Sequence, residues 1–271
     1  MTAWLLNISI LAALPLFALI FAVVAVLAHT ILRQHLPPPE RLSENHDVAG
    51  FLMGVVGVLY SVVLGFLVGT VWTAFASAQQ TTDLEAGYVA DAFNFASQLP
   101  LPERPALQRT IAGYAITVRD ADWSALAKGG EDTTGPLLYR AVHLAVRAQP
   151  PRNANSAEIL EINTLRTALL DSLRQLGDAR RLRLVQSQSR LPQGLLEALI
   201  LGAVGVMAFT FMFGVKSYIK QMMLTALLAG SIGLFFGLIV ELSTPYTGAI
   251  QVSRDSLKFV IVNNHLAEYA K

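Results

Sequence analysis

The sequence predicts an all-α membrane protein, with four transmembrane helices in two pairs and a helical domain inserted between the second and third. Three observations predict it. Of the 271 residues, 54% are hydrophobic and only 14% charged, whereas soluble domains carry about a quarter charged residues. Four apolar stretches are each long enough to cross a hydrocarbon core about 30 Å thick at ~1.5 Å per helical residue. Between the second and third lies a hydrophilic segment without strand-like alternation, its Pro and Gly placed at joints. The chain thus divides into 1–78 (spans one and two), 79–192 (extramembrane helical domain), 193–243 (spans three and four) and 244–271 (C-terminal tail).

The first span runs from about Trp4 to Leu32, uncharged until Arg33, with Pro15 expected to kink it and His29 near its end. It lacks a basic leader and is about twice the length of a signal-peptide core, so it reads as a retained span. The second covers about Val48 to Ala78, the third Gln193 to Val215 and the fourth Met222 to Leu242. A short turn with Lys216 and Lys220 joins the last two as an antiparallel hairpin.

In the domain, Thr81 to Leu99 continues the helix of the second span until Pro100 and Pro102 break it. A second helix is expected from Glu103 to about Lys128, ending at Gly129-Gly130, and a third from Leu137 to Gln149, ending at Pro150-Pro151. Ser156 is placed to cap a long fourth helix, Ala157 to Arg190, with Ile162, Leu165, Leu169, Leu173 and Leu176 at helical spacing. After Pro245 and Gly248 the tail from Leu257 to Ala270 reads as a short amphipathic helix along the membrane surface, with Phe259, Val260 and Leu266 as its apolar contacts.

Arg33 and Arg41 in the first short loop, and Lys216 and Lys220 in the hairpin turn, fall on one side of the bilayer. Basic short loops mark the cytoplasm, so the inner membrane is the expected location, with the domain and both termini extracytoplasmic. Arg180, Arg181, Arg183 and Arg190, approaching the third span from the domain, are the opposing signal.

A net charge of +1 argues against nucleic acid as a partner, which leaves the lipid bilayer and further copies of the chain, with ions as candidates for transport. There is no cysteine, and no phosphate loop, nucleophile elbow or paired-histidine helix. The chain therefore reads as non-enzymatic, without cofactor or metal. His35, His46 and Asp47 share a loop but lack zinc-site spacing. The second span carries Gly50, Gly54, Gly57, Ser61, Gly65 and Gly69 on one stripe, the fourth Ala226, Gly230, Gly233 and Gly237, and the third Gly194, Ala198, Gly202 and Gly205. Close packing is the ordinary use of such stripes and pore lining the functional one. Asp47, Glu85, Glu197 and Glu241 are the charged candidates. Solvated interfacial carboxylates are the plain reading of Glu197 and Glu241, and an acidic ring at a pore mouth is the functional one. Glu158, Glu161, Arg166 and Arg174 read as solvated helix faces.

Several segments in order carry a resemblance: Asn45-His46-Asp47-Val48-Ala49-Gly50, Val71-Trp72-Thr73-Ala74-Phe75, Glu85, Tyr114, Asp122-Trp123, Arg180-Arg181-Leu182-Arg183, Leu191-Pro192 and Pro245-Tyr246-Thr247-Gly248. Together they resemble the bestrophin-like family of bacterial multi-pass membrane proteins of unknown function. The resemblance implies distant kinship to bestrophins, pentameric anion channels with a cytoplasmic helical domain, opposite to the orientation the loop charges favour. Glu197 stands where the family pattern suggests an aromatic residue, and Glu241-Leu242-Ser243-Thr244 replaces an acidic-basic pair. The leading expectation is an oligomeric ion channel or pore. The alternative is a non-conducting scaffold or sensor whose domain binds a partner.

Overall fold

The structure is a computed structural model that describes residues 10–35, 46–100, 102–127, 133–213, 215 and 217–270. Trp4, Arg41, Asn45, Lys128 to Gly130 and Lys216 lie outside these. The described residues form helices and connections, without strands. In chain order the helices are α1 (Ile10–Leu32), α2 (His46–Gln98), α3 (Arg104–Thr117), a π-helical turn (Val118–Asp122), α4 (Trp123–Ala127), α5 (Gly135–Arg147), α6 (Ser156–Gln188), α7 (Gln193–Phe211), α8 (Tyr218–Leu242), α9 (Asp255–Asn263) and α10 (Leu266–Tyr269).

Among the described residues, four stretches are long and apolar enough to cross a membrane: Ala12–Leu32, Asp47–Gln98, Ser156–Phe211 and Tyr218–Leu242. The third joins α6 to α7, and the charged residues of α6 leave α7 as its apolar part. The chain divides into two compact units, one of residues 1–74, 190–244 and 248–250, the other of 75–189, 245–247 and 251–271.

In the membrane unit α8 lies against α1. Phe236 meets Phe21 and Phe17 at ring-centroid distances of 5.2 and 6.5 Å. The glycines of α8 allow this approach, because a β-carbon on Gly233 would stand 2.7 Å from the Phe17 carbonyl oxygen. Between α2 and α7 the Tyr60 ring fills the place of a side chain at Gly202, and its hydroxyl donates to the Leu199 carbonyl at 3.3 Å.

The second unit has its own core, in which Val89, Leu107, Ile111, Leu169, Leu173 and Leu257 are among the buried side chains. The helix expected from Glu103 to Lys128 is interrupted. After about four turns it widens into the π-turn, in which both Val118 and Asp122 are buried. The cap of α6 is Asn155 rather than Ser156: Asn155 Oδ1 accepts the Glu158 N–H at 2.9 Å while Glu158 Oε2 accepts the Asn155 N–H at 3.0 Å, a reciprocal capping box. Of the tail's expected apolar contacts, Val260 and Leu266 are buried and Phe259 is not. Leu257, Val260, Ile261 and Leu266 are buried in this unit's core, and Phe259 is 67% exposed, because it lies on the opposite face of α9.

Candidate functional site

Ionisable side chains meet in the interior of the second unit. Glu85 sits on the α2 stripe Ala78, Glu85, Ala92, which Leu99 continues just past the end of the helix, and all four are buried. Arg183 continues the α6 stripe Ile162, Leu169, Leu176 and is fully buried. The seven-residue spacing carries each charge onto an otherwise apolar face. Arg183 Nε donates to Glu85 Oε2 at 2.7 Å and its Nη2 to Glu85 Oε1 at 3.3 Å, a two-bond pairing suited to a guanidinium. The Tyr114 hydroxyl, from α3, donates to Glu85 Oε1 at 2.6 Å. Asp122, from the π-turn, lies 3.5 Å from Arg183 Nη2.

Asp122 is itself held. It accepts the Thr133 N–H at 3.1 Å and the hydroxyls of Thr133 at 2.7 Å and Thr134 at 3.0 Å. Thr134 immediately precedes α5 without capping it through its side chain, and Arg180 Nε donates to its hydroxyl at 3.2 Å. The network therefore ties α2, α3, the π-turn, the start of α5 and α6 together. Burial works against the charge of Arg183, and Glu85, with Tyr114 and Asp122, more than offsets it, so the guanidinium stays protonated. Burial pushes the Tyr114 phenol well above its ordinary value, and the negative charge of Glu85 raises it further. Such an arrangement holds charge in one configuration; among the described residues no group of His, Asp or Glu is placed to hold a metal ion. Beside it, Trp123 meets Tyr246 edge to face at 5.4 Å, and the Arg254 guanidinium stands 5.7 Å from the Trp123 ring centre.

Glu85, Tyr114, Asp122 and Arg183 each figure separately in the sequence resemblance, and the structure brings them together. The other charged candidates are dispersed. Asp47 and Glu197 are exposed, the latter accepting from Gln193 Nε2 at 3.0 Å. Glu241 is not the solvated carboxylate expected: it is 4% exposed, and its Oε2 accepts the backbone N–H groups of Ala249 at 2.6 Å and Ile250 at 3.4 Å. The chain doubles back after α8, and this turn caps the carboxylate; Gly248, at φ 86°, supplies the left-handed residue it needs. His29 is also buried, its ring 4.9 Å from that of Phe211.

The two principal small-residue stripes have different surroundings. On α8, a β-carbon at Gly237 would meet the Phe17 ring at 2.7 Å, one at Gly233 would meet Phe21 at 2.6 Å, and one at Gly230 would rest 3.5 Å from the Ala18 carbonyl. On α2, a β-carbon at Gly54, Gly57, Gly65 or Gly69 would meet nothing within 4 Å, one at Gly50 would just reach Phe213 at 3.9 Å, and Ser61 is exposed.

A family model for the bestrophin-like domain matches residues 20–257. Among curated proteins none matches the sequence. Among solved structures, a bacterial bestrophin homologue from Klebsiella pneumoniae, phased by Zn-SAD, is similar at a TM-score of 0.57 and 10% identity, over 95% of this chain and 97% of that one. Two mutant forms of a bestrophin homologue from the same organism, both 11% identical, give TM-scores of 0.58 over 95% and 98% of the two chains, and 0.60 over 94% and 98%. At such identities the likeness is one of fold.

Proposed function

This chain belongs to the bestrophin-like family, and on that premise we propose that it is a homo-oligomeric ion channel whose conducting path is lined by the small-residue stripe of α2. The observation that carries this reading is the contrast between the stripes. The glycines of α8 are covered by α1 of the same chain, whereas Gly54, Gly57, Gly65 and Gly69 of α2 are left uncovered. Large apolar side chains facing lipid need no partner. Small residues in a stripe do, because their use is to bring another backbone close or to leave room beside the helix. Further copies arranged about an axis satisfy both uses at once.

Asp47 and Glu197, both exposed, are the carboxylates an entering cation would meet, while Glu241 is withdrawn into its turn. The Glu85–Arg183 network sets the shape of the domain rather than touching ions. The basic residues of the two short loops support an orientation with those loops in the cytoplasm and the domain and both termini on the other face of the inner membrane. Reporter fusions at residue 271 and within the loop around residue 216 test that orientation.

The test of the function is ion flux across liposomes holding the purified chain, with its subunit number measured by light scattering. A symmetric oligomer that dissipates an ion gradient supports the proposal. A tightly packed protein that passes no ion at any applied potential leaves the scaffold reading in its place.

A further inference from the structure

The membrane unit holds a cavity of about 520 Å³ beside the α7–α8 turn, bounded by Met53 of α2, Thr210 and Phe213 at the end of α7, and Leu224, Leu228 and Ser231 of α8. Three of its polar members, Thr210, Gln221 and Ser231, are hydrogen-bonded within the chain. The Thr210 hydroxyl donates to the Met207 carbonyl at 2.6 Å and that of Ser231 to the Leu227 carbonyl at 2.9 Å. Gln221, also in the wall, donates to the Thr210 carbonyl at 3.1 Å and accepts the Val215 N–H at 3.1 Å. Apolar side chains make up most of the wall, and the O–H groups of Thr210 and Ser231 are already committed to carbonyls of the chain, so the cavity favours an occupant that needs apolar contact.

Along α8 the lining runs from Gln221 to Ser231, about 15 Å at ~1.5 Å rise per residue. That is about half of a ~30 Å hydrocarbon core, the depth of one leaflet. Lys220 stands at the end of this run. Leu224, Leu227 and Ser231 follow it at i+4, i+7 and i+11 and so share its face of the helix. It is exposed, and among the described residues it has no ion-pair partner. Close by, the Arg33 guanidinium is held 4.7 Å from the centre of the Tyr218 ring, whose hydroxyl is 3.0 Å from Thr30 Oγ1, so a second cation is fixed at the same end of α8.

We propose that this cavity is a binding site for an anionic phospholipid of the surrounding bilayer, one acyl chain lying along Leu224, Leu228 and Ser231 and the headgroup phosphate paired with Lys220. An apolar cavity in a membrane is not filled by water, acyl chains are the solvent that adjoins it, and the charge at its end selects among headgroups.

The experiment is native mass spectrometry of the full chain released from nanodiscs of equal parts phosphatidylglycerol and phosphatidylcholine. The chain retains phosphatidylglycerol in excess. Lys220→Gln lowers that excess about fivefold, the factor one basic side chain contributes near an anionic surface, and Ser231→Phe, which fills the cavity from an exposed position, removes both lipids. Equal retention of the two lipids, unchanged by Lys220→Gln, overturns the proposal. So does a disulfide between two copies at the single cysteine of Leu224→Cys, which would assign the cavity to a neighbouring chain.

Discussion

Arg183 and Glu85, 98 positions apart in the sequence, meet at 2.7 Å with side chains that are 0% and 2% exposed. A pair so placed costs much to desolvate, and losing one partner strands the other. Arg183→Met should therefore destabilise the domain by ~3–5 kcal/mol. Glu85→Leu together with Arg183→Met should cost less than the sum of the two single changes. Denaturant melts of the four proteins in detergent check this, and additive losses would refute a coupled pair.

Tyr114 gives the network a pH signature. Burial, and then the charge of Glu85, hold its phenol well above the ordinary value of 10.0. The proton is thus bound more tightly in the folded state, so this contribution to stability is intact below about pH 10 and falls as the pH rises beyond it, where only the unfolded chain loses the proton. Tyr246, pushed up to about 12 chiefly by burial, acts in the same direction. Alkaline titration followed by tyrosinate absorbance should show both phenols ionising only as the domain unfolds, and Tyr114→Phe should make the alkaline loss of stability shallower.

Much of this was legible in the sequence, and the exceptions have physical reasons. Four spans follow from the length an apolar helix needs, and the helical domain from its Pro and Gly punctuation. The network was visible only in part. Arg183 looks like its neighbours Arg180 and Arg181 until it is counted seven residues on from Leu176, and Glu85 reads likewise between Ala78 and Ala92. A charge on a buried stripe was the available signal. The π-turn left none, because a widened turn has no composition of its own. The burial of Glu241 depends on a backbone reversal after the helix, which its position at a span's end does not disclose.

Gly248 and Glu241 form a latch at the end of α8. A β-carbon at Gly248 would stand 2.5 Å from Glu241 Oε2, on a residue already at φ 86°. Gly248→Ala should cost ~1–3 kcal/mol through backbone strain, and Glu241→Gln about 1–3 kcal/mol through weaker bonds to the Ala249 and Ile250 amides. Thermal unfolding in detergent reads both.

The two stripes should respond in opposite ways to the same change. Gly233→Ala forces a methyl against the Phe17 carbonyl and should destabilise the α1–α8 pair by ~1–3 kcal/mol. Gly57→Ala meets nothing and gains up to about 1 kcal/mol of helix propensity. Melting temperatures of the two variants, compared as dispersed single chains, distinguish covered from open glycine.

The most direct test of the central claim uses the absence of cysteine from the chain. Single cysteines at Gly57, Ser61 and Gly65, and a control at Val63 on the opposite face of α2, are exposed in reconstituted membranes to a charged, membrane-impermeant thiol reagent during recording of the ion current. The current should fall on modification at the three stripe positions and persist at Val63. Equal sensitivity on both faces, or no current to block, would contradict a path lined by α2.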